Sequence, residues 1–363
     1  MDLKKKDLKV GIWGLGNEGF ALYSYLSSKI LLNNITPFTS NEQTLTIKTI
    51  HSTGKIEGTY QFSPTNEIRK ILECDLIFIT TLTTAYEEVA SKIASFSIQN
   101  NIDLKQKIFV LFSGKLGGVL VFDKVFKSFG IETNVIETDA LFACRKIDVD
   151  TVWIRGIKKW NLLISNKDTF KSAPDLHLYK VIKMIFDDIQ LDVADNFIQR
   201  GLTDFGAMAH ATICLINLAN IDSKRDLLFY IDGITENTVR LIEKVYLEFE
   251  EVANRFSTHI VDPITLLDRY YGTSKDNLLV AIKNVPNYKH TKMPNSINNR
   301  MLYEDVLNTL YPLTLISKKI GIDLKVISSI VNIMSEILLL DLEKEGRTLE
   351  KMGINNFFIG GKV

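Results

Sequence analysis

The sequence predicts an α/β domain with a doubly wound parallel sheet, followed by an all-α domain. Three observations lead there. Short Val-, Ile- and Phe-rich runs alternate with amphipathic stretches through the first half, the first of those runs enters a G-x-G-x-x-G array, and from about residue 190 the apolar positions fall at helical spacing instead. With 363 residues the chain is too long for one small core, so the change of rhythm marks the expected boundary: residues 1–190 form the first domain and 191–363 the second.

In the first half, "LKVGIWG" predicts a strand, "EGFALYSYLSSKILL" the helix after it, and "NITPFTS" a second strand. "NEIRKILE" predicts a short helix before the strand "CDLIFITTL", and "AYEEVASKIASF" a helix before "KIFVLFSG". The helix "GGVLVFDKVFKSFG" and the strand "TNVIET" follow, and "VWIRGIKKWNLLISN" reads as a closing pair of strands. Strands separated by helices of about 10–15 residues are βαβ units, which require a parallel sheet. In the second half, Val239, Ile242, Tyr246, Phe249, Ala253 and Phe256 mark one helical face, with Thr235 as its N-cap. Val326, Ile327, Ile330, Val331, Met334, Ile337 and Leu338 mark another, with Gly346 as its terminator.

The bulk composition narrows the function classes. Lys plus Arg equals Asp plus Glu at 43 each, so no global field draws in nucleic acid or an anionic membrane. Cys74, Cys144 and Cys214 are odd in number and far apart, which suits a reducing, cytoplasmic setting better than a disulfide framework. His51, His177, His210, His259 and His290 are scattered, and without CxxC or HxxxH no metal site is expected. The basic start is followed by an apolar run that glycines soon break, so it predicts neither a signal peptide nor a membrane span. No later segment reaches the roughly 18 apolar residues of a span.

Gly14, Gly16 and Gly19 in "KVGIWGLGNEGFAL" stand where a strand meets a helix expected to begin at Asn17. A dinucleotide pyrophosphate needs one glycine for the tight turn, one for its own approach to the backbone and one for close helix packing, with the helix dipole behind them. Asn17, Glu18 and Thr80, at the end of "CDLIFITTL", complete this cofactor-binding set. An acidic side chain at the end of the second strand would bind the NAD ribose. Here Thr39, Ser40 and Asn41 occupy that place and Glu42 comes late. Uncharged groups accommodate a 2′-phosphate, so NADP is expected ahead of NAD, although no Arg stands beside them.

Four further stretches could carry chemistry. "FSGKLGG", residues 112–118, is a second glycine-rich turn suited to a cofactor or a substrate carboxylate, or simply a turn. "ETDALFACR" ends in Arg145, which needs an anionic partner: a ligand, or Glu137 in a structural ion pair. "GLTDFGAMAHATICLINLANI" places His210 in an apolar helix with Asn217 two turns along; alone, that pattern favours a satisfied core histidine over a functional one. Its "DFG" lacks the accompanying kinase motifs. In "NNRMLYEDVLNTLYPL", Arg300, Glu304 and Asp305 open a helix, either as plain helix-start chemistry or with Arg300 holding a carboxylate and Asp305 orienting a histidine.

Taken together, these pieces resemble the octopine/nopaline type of opine dehydrogenases over most of the chain. The glycine array, "FSGKLGG", "ETDALFACR", "HATICLIN", "FYIDGITENTVRLIEKVYLEFEEVA" and "RMLYEDV" follow the family's order and spacing. The resemblance implies a Rossmann domain and a helical domain with the active site in the cleft between them. It implies condensation of an amino acid amine with a 2-oxo acid and reduction of the imine by NAD(P)H. By matching position, His210 would be the acid/base, Asp305 its orienting partner, and Arg300 a substrate carboxylate ligand, joined by Asn217 and Arg145. Two positions depart from the pattern and bear on the substrate pocket: Ala211 stands where proline usually follows the histidine, and "TDFG" where an asparagine commonly precedes it. Two other readings share the fold, an amine-independent reductase of a 2-oxo or 3-oxo acid and a dinucleotide-binding protein without catalysis. The partners expected are small molecules, neither nucleic acid nor membrane. Oligomeric state stays open, with a homodimer as the assembly to test.

Overall fold

The computed structural model describes residues 8–30, 32–169, 178–273 and 276–357; the basic start and His177 lie outside them. The chain divides into two compact units. One comprises Met1–Gly114 and Val119–Val193, the other Lys115–Gly118 and Ala194–Val363.

The first unit contains the strands β1 (Val10–Trp13), β2 (Ile35–Phe38), β3 (Thr49–Gly54), β4 (Gly58–Gln61), β5 (Leu76–Ile79) and β6 (Ile108–Phe112). It continues with β7 (Asn134–Thr138), β8 (Phe142–Lys146), β9 (Thr151–Ile157), β10 (Trp160–Ser165) and β11 (Gln190–Val193). Seven of them form one sheet in the order β11-β10-β7-β6-β5-β1-β2. β2, β1, β5, β6 and β7 are mutually parallel, whereas β10 runs antiparallel to β7 and parallel to β11. β1 and β5 are buried along their whole length, as strands covered on both faces must be. The chain runs from β1 out to β2, then returns across β1 to β5, so β1 is the topological switch point at whose carboxyl end ligands bind in such sheets.

Four strands belong elsewhere. β4-β3-β9-β8 make a second, mixed sheet that the βαβ rhythm does not announce. The expected closing pair is therefore split: β9 pairs with β3 and β8, while β10 joins the main sheet. The reason lies in the helix Asn17–Ser27, whose residues from Gly19 to Leu26 are all buried. It packs on β1 and β2 of the main sheet and on β3, β8 and β9 of the second. A helix apolar on every side needs a cover on every side, and the second sheet supplies it.

The second unit is helical. Its centre is the apolar helix Phe205–Ile216, against which pack Glu236–Arg255, Arg300–Asp305 and Lys325–Leu338. Thr235 caps Glu236–Arg255 through a reciprocal bond pair with Thr238. The helix Lys325–Leu338 ends at Leu339 in the left-handed region (φ 54°), so Gly346 is not its terminator. Gly346 instead closes the short helix Leu342–Glu345, packed so tightly that a Cβ would lie 2.5 Å from the Tyr311 ring. Among the described residues, no helix is long and apolar enough to cross a membrane, and no group of three or more His, Cys, Asp or Glu could hold a metal.

A Cβ on Gly19 would come 2.0 Å from the Gly14 carbonyl oxygen, a backbone atom that cannot rotate away. Gly19→Ala is expected to lower unfolding stability by about 2 kcal/mol. Gly16 has nothing within 4 Å, and Gly16→Ala should stay within about 1 kcal/mol of the parent. Urea denaturation of the two variants checks the contrast.

Candidate active site

The turn after β1 gives each glycine a separate task. Gly14 adopts φ 107°, open to glycine and costly for other residues, and its N–H donates to the Phe38 carbonyl at 3.1 Å. Gly19 lets the helix Asn17–Ser27 start against that turn. Gly16 is the N-cap, offers no side chain to the first-turn amides, and borders open space. Amides without a side-chain cap, a positive helix end and room at Gly16 suit a pyrophosphate, so the residues present fit a dinucleotide.

The other expected cofactor residues mostly shape this turn. The Thr80 hydroxyl donates to the Gly14 carbonyl, and the Asn17 Oδ1 accepts from Lys146 N at 2.8 Å. Glu18 is half-buried in the first helical turn. At the end of β2, the buried Thr39 Oγ1 accepts from Asn41 N at 3.1 Å, and Asn41 caps the helix Glu42–Leu45. Ser40 and Asn41 are exposed.

The second unit assembles a cluster around His210. Asp204 caps the helix Phe205–Ile216, its Oδ1 accepting from Gly206 N at 2.8 Å and Ala207 N at 3.3 Å. One turn on, His210 stacks over Gly206, where a Cβ would lie 2.8 Å from the imidazole Cε1. The "DFG" triplet is therefore a helix cap and a space for the ring. His210 Nδ1 lies 2.9 Å from Asp305 Oδ2, and its Nε2 lies 2.9 Å from the Tyr230 hydroxyl. Lys115 Nζ lies 2.9 Å from Asp204 Oδ2 and 2.6 Å from Asp305 Oδ1. Lys115, Asp204 and Asp305 are 6%, 2% and 2% exposed.

Burial by itself would raise the Asp305 carboxyl. The Lys115 ammonium and the His210 hydrogen bond outweigh it and hold the group well below the usual carboxylate range. An ionised Asp305 assigns the proton of a neutral imidazole to Nδ1, which donates to it, and leaves Nε2 to accept from Tyr230. The Tyr230 ring stacks on Tyr288, centroids 3.8 Å apart, and meets Phe229 edge-on. Burial, then the neighbouring Tyr230, push the Tyr288 hydroxyl far up, so it stays neutral.

Lys115 reaches its carboxylates from a contorted loop, with φ 93° at Ser113, 59° at Lys115 and 76° at Gly117. Within the second unit Leu116 is held on both sides: its N–H donates to the Asn308 carbonyl at 3.1 Å, and its carbonyl accepts from Arg347 Nη1 at 2.9 Å. The Asn308 carbonyl can accept from Leu116, and from Arg347 Nη1 at 3.4 Å, because the residue four places on, Pro312, has no N–H to claim it. Asn308 lies in a π-helical segment, Val306–Leu310, that begins directly after Asp305.

Of the remaining expected residues, Arg300 sits one and a half turns from Asp305 on the same helix, half-exposed, with Nη1 2.9 Å from Glu304 Oε2. Asn217 does not present its amide to the cluster. Its Nδ2 donates to the Ile213 and Gly233 carbonyls at 2.9 Å each and its Oδ1 accepts from Asn220, because it closes the helix Phe205–Ile216. Arg145 is exposed on β8 in the first unit and makes no ion pair with Glu137, which is fully buried and caps Val119 N at 2.7 Å. Lys115 and Tyr230 were not singled out by sequence reasoning, although their stretches "FSGKLGG" and "FYIDG" were. A lysine between glycines and a tyrosine in a loop carry no periodic signal.

Residues 193–338 match the family model described as NAD/NADP octopine/nopaline dehydrogenase, alpha-helical domain. An opine dehydrogenase of Arthrobacter sp. (strain 1C) is 27% identical over 362 residues, covering 96% of each chain. An octopine dehydrogenase structure in complex with NADH and agmatine superimposes with a TM-score of 0.75 at 17% identity, covering 96% of each chain. The NADP+-bound yersinopine dehydrogenase superimposes with a TM-score of 0.72 at 12% identity, covering 93% of this chain and 96% of that one. At these identities the two structures establish the shared fold.

Because its folded value is depressed, Asp305 contributes stability that is fully present above the unfolded carboxylate pKa of about 3.9 and is lost as pH falls below it. Asp305→Asn should cost about 3 kcal/mol at pH 7, since it strips Lys115 of one buried partner. The gap to the parent should narrow between about pH 4 and pH 2 in urea titrations. A gap independent of pH would mean that the charge of Asp305 is not what stabilises the unit.

Proposed function

We propose that this chain, which belongs to the octopine/nopaline (opine) dehydrogenase family, joins the amine of an amino acid to a 2-oxo acid and reduces the resulting imine. The observation that carries this reading is the His210–Asp305 pair, 2.9 Å apart, a part-exposed imidazole on a buried carboxylate in the helical unit of a chain whose other unit has a glycine turn suited to a dinucleotide. The relatives support it by the ligands they hold: NADH and agmatine in one, NADP+ in the other. The expected partition near residue 190 enters the proposal with one amendment. Lys115–Gly118 group with the helical unit.

Bound NAD(P)H would supply the hydride. The chain's own residues manage the proton. Asp305 keeps Nδ1 protonated, so Nε2 is the imidazole atom that gains and loses a proton, with the Tyr230 hydroxyl beside it. As imidazolium, His210 gives that proton to the departing hydroxyl of the carbinolamine, which leaves as water; in the reverse direction the neutral imidazole takes that proton back from the water that adds to the iminium carbon. Arg300, whose half-exposed guanidinium meets Glu304, would hold a substrate carboxylate, as the resemblance to the family implies. For the cofactor, the exposed Ser40 and the absence of a carboxylate at Thr39–Asn41 favour NADP over NAD. The three free cysteines suit a cytoplasmic setting.

A matrix of amino acids against 2-oxo acids, followed by loss of NADPH or NADH absorbance, tests the reaction. Oxidation of the cofactor should require both partners. A 2-oxo acid reduced as fast without the amine would reject this reading in favour of a simple oxo-acid reductase. His210→Asn should cut kcat/KM by about 10²–10⁴-fold while dinucleotide Kd stays unchanged. Gly16→Ala should do the reverse, weakening dinucleotide binding first, because its Cβ projects into the space open to the pyrophosphate.

A further inference from the structure

Besides the acid/base pair, the cluster contains a cation that the proposed chemistry does not use. Lys115 is 6% exposed and bridges two carboxylates that are themselves buried, Asp204 at 2.9 Å and Asp305 at 2.6 Å. Its backbone adopts φ 59°, a left-handed conformation unfavourable for a non-glycine residue. Such outliers persist only where the surroundings hold them, and here Leu116 is fastened on both its N–H and its carbonyl. The loop is strained so that this ammonium arrives between these oxygens.

We propose that Lys115 is a positioning residue for the acid/base pair: by bridging Asp305 and Asp204 it sets the charge balance against which His210 gains and loses its proton. One cation facing two carboxylates leaves one surplus negative charge while the imidazole is neutral, and none once it is protonated. The other groups near His210 leave this balance intact. Tyr230 and Tyr288 are phenols, and the Cys214 thiol on the same helix is pushed up by burial and by Asp305. Arg300 and Glu304 pair with each other. The buried faces of Glu236–Arg255, Pro263–Tyr271, Val306–Leu310 and Lys325–Leu338 carry no ionisable side chain except the Tyr270 phenol. The buried Arg347 donates to the Leu116 and Asn308 carbonyls, and of the three charges in the cluster, Lys115, Asp204 and Asp305, only Asp305 touches His210.

Two substitutions should push in opposite directions. Lys115→Met leaves two carboxylates without their cation and favours the imidazolium. Asp204→Asn keeps the helix cap, which asparagine makes as well as aspartate, but removes the surplus negative charge and disfavours it. Lys115→Arg keeps the charge and is the rescue control. General damage to the fold would not yield opposite signs.

The measurement is an NMR pH titration of the substrate-free, full-length protein, with the His210 signal identified by its loss in His210→Asn. A shift of about one pH unit upward is expected for Lys115→Met and about one unit downward for Asp204→Asn, with Lys115→Arg close to the parent. In the opine-oxidising direction, the acidic limb of kcat/KM should move with the NMR midpoint. Midpoints that do not move, or that move in the same direction in both variants, overturn the proposal. If Lys115→Met does not fold, an unmoved midpoint in Asp204→Asn overturns it alone. The proposal rests on the opine reading only for the kinetic limb: opposite NMR shifts in a protein without amine-dependent turnover would uphold Lys115 and reject that reading.

Discussion

A carboxylate 2% exposed must stay charged inside a helical core, and much of the second unit is arranged around Asp305 for that reason. Water cannot solvate it there, so fixed donors must, at a distance where removal of any one leaves a charge uncompensated. His210 takes one oxygen and Lys115 the other. Each donor then makes its own demand. The imidazole needs Gly206 beneath it, and the ammonium needs a second carboxylate, Asp204, which in turn caps the helix that carries the imidazole. The network closes on itself.

The first unit obeys a different constraint, steric rather than electrostatic. A helix brought against the carboxyl end of β1 closely enough to expose its amides allows no side chain at Gly19 and only glycine-like backbone at Gly14. The helix so placed is apolar all round, and the second sheet follows from the need to bury its outer side. The exposed helix-start amides and the extra four strands thus trace back to one short turn.

This explains what could be read in the sequence. The parallel strands, the glycine turn, the change of rhythm and the Thr235 cap are local patterns, each announced by residues within one or two turns of one another. The second sheet was illegible because its two antiparallel pairs, β3–β4 and β8–β9, lie far apart in the chain and are joined only by the pairing of β3 with β9. His210 and Asp305, 95 residues apart, came into view through a resemblance, since spacing alone could not join them. Asn217 is a different case. Its position two turns beyond His210 suggested a shared face, but an asparagine at a helix end more often satisfies the last carbonyls, and this one does. Arg145 looked buried by its apolar neighbours, yet in a strand alternate residues face opposite ways, and its own side chain faces out.

The segment after Asp305 ties the chemistry to the backbone. An α-helix continued through Val306–Leu310 with an ordinary residue at position 312 would give the Asn308 carbonyl to that residue's N–H. Pro312 withholds the donor, the local ladder widens to π, and a buried carbonyl is left that must be satisfied from outside the helix. Leu116 and Arg347 satisfy it, at 3.1 and 3.4 Å. The bond to Leu116 holds the residue beside Lys115, three positions along the chain from the carboxylate that Lys115 serves, counted from Asn308 back to Asp305. A proline therefore does electrostatic work at one remove: the donor it lacks obliges the helix to accept the loop, and the loop delivers the cation that keeps Asp305 ionised.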